Sequence, residues 1–166
     1  MSASPDSATL LARYGRMAAQ LAAQLDEGPK ATTDPVARMA TICALLHAKL
    51  PHFFWTGFYR LVDGDLVVGP YQGPLACAKL PPPDGVCWAG LRGGETVLVP
   101  DVHAFPGHVA CDSRSRSEIV VPVRDATGAV VAVLDVDSDQ PDAFGPADRE
   151  GLEAIVALVH APAAGR

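Results

Sequence analysis

The sequence predicts an α+β domain in which helices pack on a central antiparallel sheet. Three observations lead to it. Apolar residues recur at helical spacing near both ends of the chain, within 7–25 and 35–50 and again within 146–159. Between them lie two pairs of strand-like segments, each pair joined by a short stretch containing Asp and Gly. The order is therefore helix, helix, hairpin, irregular region, hairpin, helix, and hairpins build antiparallel pairs.

The elements follow in chain order. Residues 1–6 are expected to be a disordered start, and 7–163 a single domain. Residues 7–25 are rich in Ala, Leu and Gln and read as a helix, broken by DEGPK at 26–30. Asp34-Pro35 supplies an N-cap followed by proline at the first helical position. Val36, Met39, Ala40, Cys43, Leu46 and Leu50 are the expected buried face of this second helix, which Pro51 ends.

Phe53–Leu61 and Leu66–Gln72 read as strands flanking Val62-Asp63-Gly64-Asp65, where Asp-Gly suits the positive-φ turn positions. Glu118–Val123 and Ala129–Val136 flank a second hairpin loop, Arg124-Asp125-Ala126-Thr127-Gly128. Thr96–Val99 is a fifth, short strand. Pro81-Pro82-Pro83-Asp84 is a loop, and Gly85–Leu91 a short helix. Pro146–Val159 has an acidic, proline-started first turn and an apolar stripe of Leu152, Ile155, Val156 and Val159.

Composition narrows the function. A chain of 166 residues suffices for one domain with a sizeable core, and 49% hydrophobic with 19% charged residues belongs to a folded protein. The net charge of −6, with no basic cluster larger than Arg114 and Arg116, argues against a nucleic-acid partner. No apolar run reaches the roughly 18 residues of a membrane helix. The N-terminus lacks the basic-then-apolar pattern of a secretory signal, so a reducing cytoplasm is expected. Its four cysteines are then expected to be thiols, metal ligands or redox residues rather than structural staples. No internal repeat is found.

The chemistry concentrates in Asp101–Glu118, DVHAFPGHVACDSRSRSE, which has almost no apolar periodicity. A loop of this length inside a compact domain is usually functional or disordered, and its mixture of His, Phe, Cys and charge favours a site. Cys111 sits in it beside His108, Arg114 and Arg116, groups that favour a thiolate; as a bare cysteine it could equally be a buried core residue. Cys43 lies on a helical apolar stripe and reads as core. No CxxC pair exists, and Cys111 with His103 and His108 does not match a zinc spacing, so no metal is expected. On the last strand Asp135 and Asp137 share a face with Val131 and Val133, while Ala132, Leu134 and Val136 cover the other. Two carboxylates closing an apolar strand mark either a solvated strand end or a pocket.

Several stretches carry a resemblance. They are Phe54-Trp55-Thr56-Gly57-Phe58-Tyr59, Gly69-Pro70-Tyr71-Gln72-Gly73 with Cys77, Gly85-Val86-Cys87, Asp101-Val102-His103, Phe105-Pro106-Gly107-His108, Cys111-Asp112, Ser117–Pro122 and Leu134–Ser138. Together, over roughly 35–160, they resemble the free methionine-(R)-sulfoxide reductases, a GAF-domain subfamily. The resemblance implies a six-stranded antiparallel sheet with helices and a pocket closed by loops over one face. It implies Cys111 as nucleophile, Cys77 as resolving cysteine and Cys87 as a third cysteine in secondary exchange. Glu118, Asp135 and Asp137 become pocket acids. Trp55 becomes the aromatic against the methylthio end of the substrate, with Tyr59 nearby. The implied reductant is thioredoxin, drawing on NADPH through its reductase, with no bound cofactor; a homodimer is implied as well. His103, His108 and Asp112 would shape the loop. Trp88, next to Cys87, departs from the family pattern. The competing expectation is a GAF module that senses a small ligand or redox state without turnover; nothing positive in the sequence favours a scaffold.

Overall fold

Asp63 and Gly64 close the first hairpin with φ of 50° and 87°, the pair of left-handed positions that a two-residue turn of matching twist requires. Val62 and Asp65, expected in the loop, are instead its last paired residues. The computed structural model describes residues 6–109 and 111–161. In it β1 (Trp55–Val62) and β2 (Asp65–Gln72) form this hairpin, and β5 (Ser117–Arg124) and β6 (Val130–Ser138) form the second. Asp125 organises the second turn: its carboxylate accepts from the Thr127 and Ala129 N–H groups and from the Thr127 hydroxyl.

Two short strands complete the sheet, β3 (Lys79–Leu80) and β4 (Val97–Val99). The six strands run in the order β3-β2-β1-β6-β5-β4, every neighbour antiparallel. The α+β class and the six-stranded sheet are as expected. β3 had no signal in the sequence, because two residues are too few to show alternation.

The helices are α1 (Ser7–Asp26), α2 (Pro35–Lys49), α3 (Val86–Gly93) and α4 (Pro146–Val156). The expected extension of α4 to Val159 is turn instead. Asp6, placed in the expected disordered start, caps α1 by accepting from the Thr9 N–H; residues 1–5 and 162–166 lie outside the described part. No described helix is long and apolar enough to cross a membrane.

The sheet divides two apolar clusters. One face, with Phe58, Ile119, Val121, Leu134 and Val136, packs with Leu21, Ile42, Leu46 and Leu152 of α1, α2 and α4. The other face carries Trp55, Tyr59, Val120 and Val133 and packs with Cys87, Trp88 and Leu91 of α3. Removing this apolar surface from water is the main driving force of the fold.

The buried face of α2 differs from expectation. Val36 and Ala40 are exposed, and Arg38 and Ile42 are buried. Arg38 escapes the usual exclusion of charge because its whole fork is engaged. Its Nε donates to Thr32 O (2.6 Å), Nη1 to Leu158 O (2.6 Å), and Nη2 to Leu25 O (3.2 Å) and the Asp26 carboxylate. One side chain thereby ties the ends of α1 and α4 to the start of α2. Arg38→Met is expected to lower stability by roughly 3–5 kcal/mol, since it orphans buried carbonyls and an ion-pair partner. Urea unfolding measures it, and a loss below about 1 kcal/mol would contradict the clamp.

Candidate active site

Strand register assembles the acids. Asp137 of β6 stands opposite Trp55 of β1 on one side and Glu118 of β5 on the other. In the next row on the same face, Asp135 stands between Gly57 and Val120. Glu118 and Asp135 are buried, at 5% and 7% exposure, and Asp137 is half-buried. The three predicted acids therefore meet at one spot, and the alternative of a solvated strand end is excluded for Asp135.

The aromatic wall follows from one small residue. Trp55 stacks near-parallel with both Tyr59 and Tyr71, with ring centroids 5.8 and 5.2 Å away. The indole folds over Gly57, where any Cβ would overlap the Trp55 ring and Tyr71. Trp55 Nε1 donates to Pro74 O at 3.1 Å, and the Tyr59 hydroxyl to Cys77 O at 2.9 Å. Both bonds fasten the Cys77 loop to the sheet.

Above this floor Cys77 is joined to Cys111 in a disulfide with Cα atoms 5.5 Å apart, inside the ordinary range for such bonds. Loops that meet only in the fold thus bring the two predicted cysteines together across the pocket. The cavity encloses ≈ 590 Å³ of empty space including its open mouth, with Trp55, Tyr59, Cys111, Glu118, Asp135 and Asp137 on its wall. Leu75 and Val109, at 86% and 43% exposure, rim it.

Cys87 enters from α3. Gly90 lets this helix approach the sheet closely, since a Cβ there would come within 2.7 Å of Val120 Cγ1. Cys87 is 4% exposed, and its Sγ and one carboxylate oxygen each of Glu118 and Asp135 lie within 4.8 Å of one another. Trp88 donates through Nε1 to Leu80 O at 2.9 Å, tying the same turn to β3. Cys43 is a core residue as expected: buried under the opposite face, with its thiol pushed up to about 12 by burial.

Burial dominates the electrostatics. It pushes Glu118 well above the ordinary carboxylate range, helped by repulsion from Asp135 and Asp137. It does the same to Asp137, with added repulsion from Asp135 and Asp112, while a hydrogen bond from Ser115 works the other way. Asp135 is pushed up by burial only to about 6, because hydrogen bonds from Glu118 and Cys87 favour its ionised form. Its Oδ1 has no hydrogen-bond partner among the described residues. Burial and the acids also push the Cys87 thiol and the Tyr59 phenol up, so both stay protonated. Burial thus keeps protons on Glu118 and Asp137 to higher pH than is usual for carboxyls, beside an Asp135 that gives up its proton more readily. Cys87, Glu118 and Asp135 bring one ligand atom each within 4.8 Å of the others, close enough to hold a metal ion.

The loop gives Cys111 less positive charge than its sequence suggests. Arg114 is taken by Asp112, with Nε and Nη2 on its two carboxylate oxygens, and lies over Phe54 at 4.7 Å. His108 lines the pocket, but burial and His103 lower its pKa towards the neutral form. Arg116 and His103 are exposed. Ser115, buried beneath Asp137, is a site residue that the sequence did not reveal. It lies in unpatterned sequence, and the Arg116 N–H bond to Ser138 O, which extends the β5–β6 pairing backwards, sets its place.

Comparison with known proteins gives the family. The family model of the GAF domain matches residues 32–161. Protein YtsP of Bacillus subtilis is 44% identical over 131 residues, 78% of this chain and 80% of its own length. The free methionine-R-sulfoxide reductase of Escherichia coli is 41% identical over 125 residues, 75% of each chain. The structure of free methionine-R-sulfoxide reductase from Neisseria meningitidis in complex with its substrate superposes with a TM-score of 0.80 at 38% identity, covering 96% of this chain and 90% of that one. By sequence, fold and the chemistry of its pocket, the chain belongs to the GAF-domain family, in the branch that includes the free methionine-R-sulfoxide reductases.

Proposed function

We propose that the protein reduces free methionine-R-sulfoxide to methionine, with Cys111 as nucleophile. The observation that carries this reading is the Cys77–Cys111 disulfide set over three raised carboxyls in one cavity. A sulfoxide is a poor electrophile until its oxygen is protonated or strongly hydrogen-bonded. The reaction therefore needs a thiolate at sulfur, an acid at oxygen and a second thiol to clear the product.

The Cys111 thiolate attacks the sulfoxide sulfur while an acid protonates the oxygen. Methionine leaves, and Cys111 keeps the oxygen as sulfenic acid. The Cys77 thiol condenses with it, releasing water and forming the disulfide. A dithiol reductant then supplies two electrons and two protons. That reductant is thioredoxin in this reading, fed by NADPH through its reductase, in a reducing cytoplasm.

The geometry supports a division among the acids. Asp137 stands beside Trp55 and feels Asp112, the neighbour of Cys111. It is placed for the sulfoxide oxygen if the methylthio end packs on Trp55. Asp135, with its free Oδ1 and the lower pKa of about 6, suits the substrate ammonium. Glu118 joins the two, and Tyr59 holds the Cys77 loop. The implied homodimer remains part of the proposal. A non-catalytic sensor would need the disulfide or the pocket, but has no use for raised acids beneath a cysteine pair.

The test supplies free methionine-R-sulfoxide, thioredoxin, its reductase and NADPH to the wild-type protein. NADPH oxidation that depends on the R epimer is expected. Absence of turnover, or equal turnover of the S epimer, overturns the reading.

A further inference from the structure

Cys87 is not in the disulfide, is nearly sealed from solvent, and points its thiol at two carboxyls. Every part of that placement is built. Gly90 admits α3 against Val120, and Trp88 fixes the turn to Leu80. A buried carboxylate without donors is costly, and Asp135 has an oxygen with no partner among the described residues. A thiol that is a weak donor in water becomes a useful one beside a buried anion.

We propose that Cys87 is a positioning residue: its thiol donates to the Asp135 carboxylate and keeps that group ionised as the acceptor for the substrate ammonium, a role distinct from disulfide exchange. The inference rests on the proposed function for the identity of the ammonium, but not for the hydrogen bond itself. The other ionisable groups around the pair are known. The sheet presents Glu118, Asp137 and Tyr59 to it, and the loops bring Asp84, His108 and Asp112 to the pocket wall. All the sheet groups stay protonated well above their ordinary ranges or remain neutral, and His108 is held towards its neutral form. Cys87 and Glu118 are thus the donors that favour the ionised form of Asp135.

Exchange requires sulfur at position 87, whereas positioning requires only a donor. Cys87→Ser keeps a donor without sulfur, and Cys87→Ala removes both. The first readout is the carboxyl ¹³C titration of Asp135 in the substrate-free protein. Cys87→Ala is expected to move its midpoint up by about one pH unit, the size of a modest charge-assisted hydrogen bond, and Cys87→Ser to return it towards wild type. The second is kcat/KM against pH, where the acid limb should move up by the same amount in Cys87→Ala and revert in Cys87→Ser. If Ser and Ala behave alike, or if neither moves the Asp135 titration, the positioning role is overturned. Equal loss of thioredoxin-supported turnover in both variants with an unmoved titration would assign Cys87 to exchange. Failure of the proposed function would appear separately, as absence of wild-type turnover with the titration result intact.

Discussion

Cys111→Ser should lower turnover of free methionine-R-sulfoxide by about 10⁴-fold or more, the scale of losing a nucleophile for which nothing substitutes. A serine hydroxyl is not appreciably ionised at neutral pH, and an oxygen nucleophile cannot take oxygen from the sulfoxide to form a sulfenic acid. Cys77→Ser should behave differently. Its Cys111 can still attack once, so one equivalent of methionine should form per protein at a near wild-type rate. The sulfenic acid then has no partner across the pocket, because the bond that joins Cys77 to Cys111 cannot form, and thioredoxin-supported turnover should fall far below the single-turnover rate. Quenched-flow measurement of methionine formed per protein, beside the coupled NADPH assay, separates the two effects. Equal loss in both assays for Cys77→Ser would contradict a resolving role. Unimpaired turnover by Cys111→Ser would remove the nucleophile.

Much of this geometry is legible in the sequence where the signal is local. The Asp-Gly turn predicts the first hairpin because positive φ is a property of two adjacent residues. Period-two alternation puts Asp135 and Asp137 on the face opposite Leu134 and Val136, and the sheet keeps them there. Trp55 and Tyr59, four apart on β1, share a face as their spacing requires, and the indole reaches Tyr59 only by folding over Gly57. What needs a distant partner is not legible. Arg38, a charged residue outside the expected buried face, is buried because the Leu158 and Leu25 carbonyls accept its hydrogen bonds, partners far away in sequence. Ser115 acquires a meaning only when the Arg116 N–H bond to Ser138 O brings it to Asp137. The pairing of Cys77 with Cys111 came from family resemblance rather than spacing, since 34 residues separate them and no periodicity links two loops.

Asp137→Asn should slow the chemical step by about 10²–10⁴-fold, the usual worth of a general acid, while making the protein more resistant to urea at neutral pH. The two effects share one cause. Burial and the repulsion of Asp135 raise the pKa of Asp137 above its ordinary 3.8. The group is therefore protonated in the fold across a range where it is ionised in the unfolded chain, and the native state binds the extra proton. Its contribution to stability is complete below pH 3.8 and is lost as pH rises through the folded pKa, so stability falls with pH across that window. The same retained proton serves the reaction: activity should decline on the alkaline side as Asp137 ionises. Asparagine carries no titrating proton. Its single-turnover profile should lose the alkaline decline, and its urea midpoint should change less between pH 5 and pH 8 than that of wild type. Glu118 and Asp135 remain in the variant, so the cluster keeps part of its pH dependence. A variant with an unchanged single-turnover rate would place the acid elsewhere. One that is slow but has the wild-type dependence of stability on pH would show that Asp137 carries no extra proton in the fold. If both effects appear together, the protein gives up stability at neutral pH to hold a proton beside Trp55, where the proposed reaction needs an acid for the sulfoxide oxygen.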